Sequence, residues 1–253
     1  MARTPEGPPP PPVVQRLRLR YAKRGRLRFS SHRDFQRAFE RALRRSGIPM
    51  AYSAGFSPHP KISYANAAAT GVASEAEYVE IAVAARCDPA KVRAALDASL
   101  PPGLDVIEVV EAGEGSLVER LEASVYEIRL DRVDVEVAQA AVAAFLASET
   151  VEVERMTKNG VRTFDARSAV VALGATPGVA PEGADSVRAV PCAILRLVVR
   201  HTTPAVRPDD VLVALRRVAD LAPPVPPSVT RLAQGPLDAE TDDVADPLVP
   251  DRV

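Results

Sequence analysis

Four arginines of this chain recur at the spacing of one helix face. At 100° per residue, a single narrow stripe of the helix predicted after Ser31 holds Arg33, Arg37, Arg41 and Arg44. Within this arginine row, Glu40 is the acidic residue that offsets the positive charge. Unpaired guanidiniums repel one another until an anion binds, and each donates several hydrogen bonds to phosphate oxygens. The row therefore predicts contact with nucleic-acid phosphates, with a plainly solvated helix face as the alternative.

A stiff loop that carries an aromatic ring and cations is predicted further along the chain. Residues 55–63 read GFSPHPKIS, in which the glycine permits a sharp turn and the two prolines keep the chain extended. Such a loop presents Phe56, His59 and Lys61, which suit stacking on an unpaired base and binding of its phosphate. The ring of Phe56 can instead close one end of a sheet, so a packing role stays open.

Two histidines lie close in sequence to these cations. If their imidazoles meet at bound RNA, His32 and His59 can act as general acid and base for cleavage through the 2′-hydroxyl. The structural alternative for His32 is a hydrogen bond to a backbone group at the start of the helix. His201 follows a predicted strand and is assigned a structural role.

Several classes of site are not predicted. Cys87 and Cys192 lie too far apart in sequence for a CxxC pair or a zinc cage, so the sequence indicates no metal site and no cofactor in this chain. There is no P-loop, Rossmann fingerprint, nucleophile elbow, HExxH or CxxxCxxC motif. No apolar run approaches the ~20 residues of a membrane helix, and no secretory signal is evident. A cytoplasmic protein is expected.

Charge is distributed very unevenly along the chain. The formal net charge is −1, yet residues 1–66 hold 14 Lys and Arg against 3 Asp and Glu. The remainder of the chain is correspondingly acidic. A basic first quarter on a nearly neutral protein indicates a partner with dense negative charge, of which nucleic acid is the commonest kind.

The elements that position these residues follow the order β-α-β-β-α-β over residues 13–113, as in a ferredoxin-like unit. Residues 14–21 alternate apolar and basic types, which predicts a strand with one buried face and one cationic face that carries Arg16, Arg18 and Arg20. Ser31 caps the following helix, with Asp34 completing a capping box. The other predicted elements are a helix over 32–47, strands over 61–64 and 78–84, a helix over 88–100 and a strand over 104–110.

Residues 120–236 repeat this order with one additional strand. The predicted elements are strand 123–130, helix 135–146, a hairpin of 151–155 with 162–171 around Asn159 and Gly160, a loop over 174–187, strand 193–200, helix 208–219 and strand 228–233. The predicted fold class is therefore α+β, with two tandem ferredoxin-like (βαββαβ) units, antiparallel sheets and an elaborated second unit. A disordered proline-rich arm is expected over 1–12 and a disordered acidic tail over 237–253.

Three stretches resemble the radical-SAM-linked protein family, a bacterial domain of unknown function. They are RFSSHRD over 28–34, the segment from Ile48 to Ile62 that contains GFSPHPKI, and Met156-Thr157-Lys158 with Gly160 and Asp165. In that family the domain is fused to a radical SAM protein of the cobalamin type or encoded beside one, and stand-alone forms tend to neighbour a gene for an RNase E/G-type ribonuclease. The resemblance implies a radical SAM partner that carries an iron–sulfur cluster, SAM and cobalamin, and a link to RNA metabolism.

These observations favour an RNA-binding accessory protein, for tRNA or rRNA, that works with a radical SAM partner enzyme. The arginine row would bind phosphates, and Phe56, His59 and Lys61 would contact an exposed nucleotide. One alternative is a metal-independent endoribonuclease that uses His32 and His59. Another is a protein-interaction module whose basic face binds an acidic partner without RNA.

Overall fold

The computed structural model of the protein describes residues 10–158, 160–178 and 191–252. Over these ranges the fold is α+β and contains four α-helices. Contacts divide the chain into two units, of which the first comprises Met1–Arg120 with Pro247–Val253 and the second comprises Leu121–Asp246. Most of the arm predicted over residues 1–12 lies outside the described residues, as does Asn159 of the predicted hairpin turn.

The first unit contains six elements in the predicted order. They are β1 (Gln15–Lys23), α1 (His32–Arg45), β2 (Ile62–Ala65), β3 (Ala73–Val83), α2 (Pro89–Asp97) and β4 (Val106–Glu111). β1 pairs with β4 on one side and β3 on the other, β2 also pairs with β3, and these three pairings are antiparallel. Each element lies within a few residues of its predicted position, because alternation and helical periodicity are both pronounced in this part of the sequence.

The core of the first unit lies between its sheet and its two helices. β1 contributes Leu17, Leu19 and Tyr21, and the Tyr21 ring stacks on Phe35 of α1 with ring centres 4.4 Å apart. α2 adds Val92 and Leu96 to the same cluster. One face of the sheet thus holds both helices in place, which leaves the outer face of α1 open to a ligand.

The opposite face of β1 differs from the cationic face that the sequence predicts. Arg18 is 2% exposed, and its guanidinium pairs with Glu80 at 3.0 Å and with Asp251 at 2.8 Å. Arg16 also pairs with Glu80, and Arg20 donates to the backbone carbonyl of Glu75. Carboxylates from β3 and from the end of the chain therefore pair with Arg16 and Arg18, a backbone carbonyl engages Arg20, and the strand does not extend the arginine row.

The end of the chain also departs from its prediction as a disordered acidic tail. A C-terminal segment, residues 247–252, packs onto the first unit with Leu248 fully buried and Asp251 4% exposed. The Asp251 carboxylate accepts hydrogen bonds from Arg18, from Arg120 at 2.9 Å and from the backbone N–H of Gly113 at 2.9 Å. Composition alone indicated a solvated tail, whereas a buried apolar side chain, a buried carboxylate and an ion pair between Arg252 and Glu108 hold this segment on the first unit.

The second unit has the same order with a hairpin inserted. It contains β5 (Ala123–Asp131), α3 (Val135–Ala147), β6 (Glu152–Thr157), β7 (Gly160–Asp165), β8 (Val170–Pro177), β9 (Cys192–Arg200), α4 (Pro208–Ala219), β10 (Ser228–Gly235), β11 (Leu237–Asp238) and β12 (Asp243–Val244). The strand neighbours are β10-β5-β9-β8, while β6 pairs with β7 and β11 pairs with β12 in separate ribbons.

A turn at Asp165 accounts for the extra strand. The sequence predicted one continuous strand over 162–171, but the Asp165 carboxylate accepts hydrogen bonds from the backbone N–H groups of Arg167 and Ser168. These bonds close a turn that separates β7 from β8. The loop predicted over 174–187 begins instead as the last residues of β8, and residues 179–190 of that loop lie outside the described residues.

His201 of the second unit is held inside the fold, as its structural assignment requires. Its Nδ1 lies 2.6 Å from the carbonyl oxygen of Leu121, and its Nε2 lies 2.8 Å from Ser124 Oγ. Burial lowers the pKa of His201; the contact with Leu121 raises it, but the charge of Arg231 lowers it further. The folded protein therefore binds this proton less tightly than the unfolded chain does.

We expect this histidine to make stability depend on pH. Its stabilising contribution is complete above the ordinary histidine pKa of about 6.5 and is lost as the pH falls below that value, because protonation favours the unfolded state. Urea unfolding at about pH 7.5 and about pH 5.5 measures the loss, which His201→Gln should reduce. The control His32→Gln, at an exposed ring, should leave the wild-type dependence intact. Equal losses in wild type and His201→Gln would contradict the assignment.

Candidate nucleic-acid interface

α1 is anchored at its first turn and along its apolar face. Ser31 Oγ accepts a hydrogen bond from the backbone N–H of Asp34 at 3.2 Å and donates one to the Asp34 carboxylate at 2.7 Å, which confirms the predicted cap. The side chains that α1 buries are Phe35, Phe39, Ala42 and Leu43. Because this face is fixed on the sheet, the opposite face of the helix is directed to solvent.

The arginine row occupies that solvent face. All four of its members are exposed. Across the described ranges, none of the four guanidiniums forms an ion pair or a hydrogen bond. At a rise of about 1.5 Å per residue, the row runs for roughly 16 Å along the helix. It is therefore a continuous strip of positive charge rather than a set of isolated surface residues.

Two carboxylates near the row offset part of its positive charge. Asp34 is engaged by Ser31, whose hydrogen bonds hold the pKa of the Asp34 carboxyl below its usual range, and the charges of Arg37 and Arg33 lower it further. Glu40 lies beside Tyr64. Burial raises the pKa of the Tyr64 phenol, and the charge of Glu40 adds to that rise. Four guanidiniums against these two carboxylates leave the row with a net positive charge that an external anion can meet.

Loop 53–60 is closed at its base and exposed at its tip. Tyr52 and Pro60 form a β-bridge, and the backbone N–H of Ser53 donates to the carbonyl of His59 at 2.9 Å. Gly55 has a φ of +128°, a conformation that favours glycine. Phe56 is 71% exposed, so its ring does not close the end of the sheet, and Lys61 is exposed as well. The loop therefore presents the side chains that a stacking role requires.

The two candidate catalytic histidines have separate surroundings. His32 packs edge-on against Tyr64, with ring centres 5.2 Å apart, and its Nε2 lies 3.0 Å from Gln36. His59 has its Nδ1 2.9 Å from Ser53 Oγ. Tyr64 belongs to β2, whereas His59 precedes that strand, and among the described contacts no hydrogen bond or ring contact joins the two imidazoles. They remain candidates as single residues.

An aromatic and cationic pair before α1 was not predicted as part of the site. The Arg28 guanidinium lies 4.8 Å from the centre of the Phe29 ring, and that ring is 59% exposed. Both belong to the RFSSHRD stretch, but a single phenylalanine before a helix cap usually indicates packing. The exposure of this ring favours contact with a ligand over packing against the core. The exposure of a single residue cannot be predicted from a local sequence pattern.

Two kinds of feature are absent from the described residues. Within them, no three His, Cys, Asp or Glu side chains gather where they could hold a metal ion. None of the helices there combines the length and the apolar content that crossing a membrane requires.

A family model described as "Uncharacterized protein conserved in bacteria (DUF2344)" matches residues 16–208. The chain belongs to this family. The match begins in β1, includes α1 and loop 53–60, and ends at the first residue of α4. No curated protein matches the chain. The arginine row and loop 53–60 thus both lie within the part of the chain that defines the family.

Proposed function

We propose that the protein binds RNA, either tRNA or rRNA, through the outer face of α1 and loop 53–60, as an accessory to a radical SAM partner enzyme. The observation that carries this proposal is the arginine row, whose guanidiniums are exposed and form no ion pair within the described residues. Its positive charge is compensated once a polyanion binds along the helix.

Two other exposed arginines of the first unit form ion pairs. Arg24 pairs with Glu75 and with Asp105, and Arg86 pairs with Glu111 at 3.2 Å. Carboxylates of this unit therefore pair with arginines that lie outside α1. Arg26 and Arg93 are exposed without an ion pair among the described residues as well, so what favours a binding surface at α1 is the alignment of four such arginines on one helix face.

The loop adds a means of contacting bases. Exposed aromatic rings stack on unpaired bases, and a nearby ammonium binds the adjoining phosphate. Phe56 and Lys61 supply these two groups, and His59 supplies an imidazole held by Ser53. Phe29, under the Arg28 guanidinium, is a further exposed ring on the same unit.

The partner and its cofactors rest on the sequence resemblance alone. The stretches over residues 28–34 and 48–62 supply the specific part of that resemblance. On this proposal the radical chemistry, with its iron–sulfur cluster, SAM and cobalamin, belongs to the partner enzyme, while this chain presents the RNA. An association with an RNase E/G-type ribonuclease is proposed on the same basis.

We also infer that each unit is ferredoxin-like. In the first unit this is supported by the order β-α-β-β-α-β and by the strand neighbours β4-β1-β3-β2. In the second unit the corresponding neighbours are β10-β5-β9-β8, with the β6–β7 hairpin as an insertion. Such a unit carries both helices on one face of its sheet, which suits an exposed α1.

The test is retention of total cellular RNA by the immobilised protein at two salt concentrations. If the four arginines each contact one phosphate of a single strand, affinity should fall about 50-fold between about 50 mM and about 200 mM salt. Absence of RNA at low salt would overturn the proposal. The immobilised protein could instead retain the radical SAM protein after all RNA has been digested, while binding no RNA itself. That result would favour the protein-interaction module.

The same assay distinguishes the endoribonuclease alternative. If the purified protein cuts the retained RNA without added metal, His32→Ala and His59→Ala should each abolish cutting while binding persists. Cutting that survives both substitutions would exclude this pair as the catalytic residues.

A further inference from the structure

We propose that an open groove beside α1 receives one unpaired nucleotide of the bound RNA, an inference that rests on the proposed RNA-binding function. This α1–α2 groove has a volume of about 270 Å³. It is lined by Ala38, Arg41, Arg45, Ser99, Leu100 and Pro101. All six residues belong to the first unit, and Arg41 is also a member of the arginine row.

The lining of the groove matches the two parts of a nucleotide. Ala38 and Pro101 offer apolar surface for the flat face of a base, and Leu100, which is buried in the core, forms the floor of the groove between them. Arg41 is exposed at the same groove, where its guanidinium can bind the phosphate that follows the base. The apolar side chains and the guanidinium together therefore favour a ligand in which a flat apolar ring is joined to an anion.

Arg45 is fixed in place, whereas Arg41 is not. The Arg45 guanidinium donates a hydrogen bond to the backbone carbonyl of Ser99, at the end of α2. This contact holds its planar group against the groove, where such a group can stack on a base. Arg41 forms no such bond in the described part of the chain and remains free to follow a phosphate.

The acidic residue of α2 does not line the groove. Asp97 accepts a hydrogen bond from the backbone N–H of Val106 at 2.8 Å, at the start of β4, and is not among the residues that border the groove. The charges that border the groove are then the guanidiniums of Arg41 and Arg45.

An unpaired nucleotide fits this arrangement better than a base pair does. Bases of an A-form duplex are stacked inside the helix, and its major groove is too narrow for side chains to read. A duplex can contact the arginine row through its backbone, but it cannot place a base against Ala38. The groove is therefore expected to discriminate single-stranded from double-stranded RNA, whereas the rest of the row is not.

Filling the groove tests this discrimination. We expect Ala38→Phe to weaken binding of an oligoadenylate of about 12 nucleotides by about tenfold, while binding of an RNA duplex of the same length changes by less than about twofold. Ala94→Phe, on the exposed side of α2 and away from the groove, is the matched control and should change neither affinity. Thermal unfolding confirms that each variant is folded, and Ala38→Met provides a smaller filling side chain.

The outcomes separate this inference from the function on which it rests. Equal affinities of wild type and both Ala38 variants for oligoadenylate, with RNA binding intact, would overturn the groove site alone. Failure of wild type to bind either RNA would overturn the proposed function and the site together. As a second readout, an oligonucleotide that contains 4-thiouridine should crosslink on irradiation to the peptide that holds Ser99 and Pro101, and Ala38→Phe should abolish that crosslink. Crosslinks confined to other peptides would also overturn the site.

Discussion

Replacing Arg37, Arg41 and Arg44 together by alanine is expected to weaken RNA binding on the order of 100-fold at about 0.1 M salt, since three phosphate contacts are lost. For the same reason, the slope of log affinity against log salt should become shallower by about 2. Helix stability should not decrease, because the three side chains are exposed and alanine is the better helix former. Equilibrium binding across a salt series measures both quantities.

The control for this variant removes the same charge from another surface. Arg86, Lys91 and Arg93 are exposed on the first unit, outside α1. Their triple alanine variant should leave the salt slope within experimental error of wild type if the row is the binding surface. A similar decrease in affinity for both triple variants would show that net charge, rather than the position of the row, governs binding.

The second large effect concerns the stability of the first unit. Asp251→Asn is expected to reduce the free energy of unfolding by about 3–5 kcal/mol, because it leaves the charge of buried Arg18 without one of its two partners. Chemical denaturation followed by circular dichroism measures the change. Asp242→Asn, at an exposed position with a φ of +52° that asparagine also adopts, is the matched control and should stay within about 0.5 kcal/mol of wild type.

The Asp251 contact also predicts how acid acts on the protein. Burial by itself raises the pKa of the Asp251 carboxyl, but hydrogen bonds from Arg18, Arg120 and Gly113 outweigh burial and hold the pKa below its usual range. The stabilising contribution is therefore complete above the ordinary aspartate pKa of about 3.9 and is lost as the pH falls through the lower folded value. Asp251→Asn should abolish that part of the acid dependence. An unchanged acid profile in this variant would contradict the role assigned to the carboxylate.

α1 was predictable because its signals are local. All of these signals lie in the 14 residues of α1 or in the residue that precedes it. They are the cap at Ser31, the apolar spacing of Phe35 and Phe39, and the charge of the row. The exposure of the row also follows from periodicity, since a face opposite the buried one must be solvated. That the row forms no ion pair within the described residues could not be predicted in this way, because it depends on where acids distant in sequence lie.

Arg18 shows why such distant pairing cannot be predicted from a local pattern. Alternation in β1 correctly places Leu17 and Leu19 on the core side and Arg18 on the other side. The residue that covers Arg18 is separated from it by 233 positions in sequence. No spacing rule connects two such residues, and the acidic composition around Asp251 indicates a solvated segment rather than a buried contact.

The groove and the histidines illustrate the same limit for the candidate site. Ala38 and Arg41 were predicted on one helix, but Ser99 and Pro101 come from the turn after α2, and the sequence does not indicate that the two meet. Likewise, His32 and His59 were considered as a pair, but no described hydrogen bond or ring contact joins their imidazoles. Residue types and helix faces were predictable here, while the juxtaposition of elements was not.

The docking of the C-terminal segment has a consequence for synthesis of the protein on the ribosome. Asp251 follows its partner Arg18 by 233 residues and is translated after all of the second unit, Leu121–Asp246. The second unit can therefore reach its folded state while Arg18 is paired with Glu80 but still lacks its second carboxylate, in contrast to the usual N-to-C order of domain folding. Nascent chains stalled before residue 247 should be more sensitive to protease over residues 13–113 than chains that contain residues 247–252, which makes the docking of this segment a late step in completing the first unit.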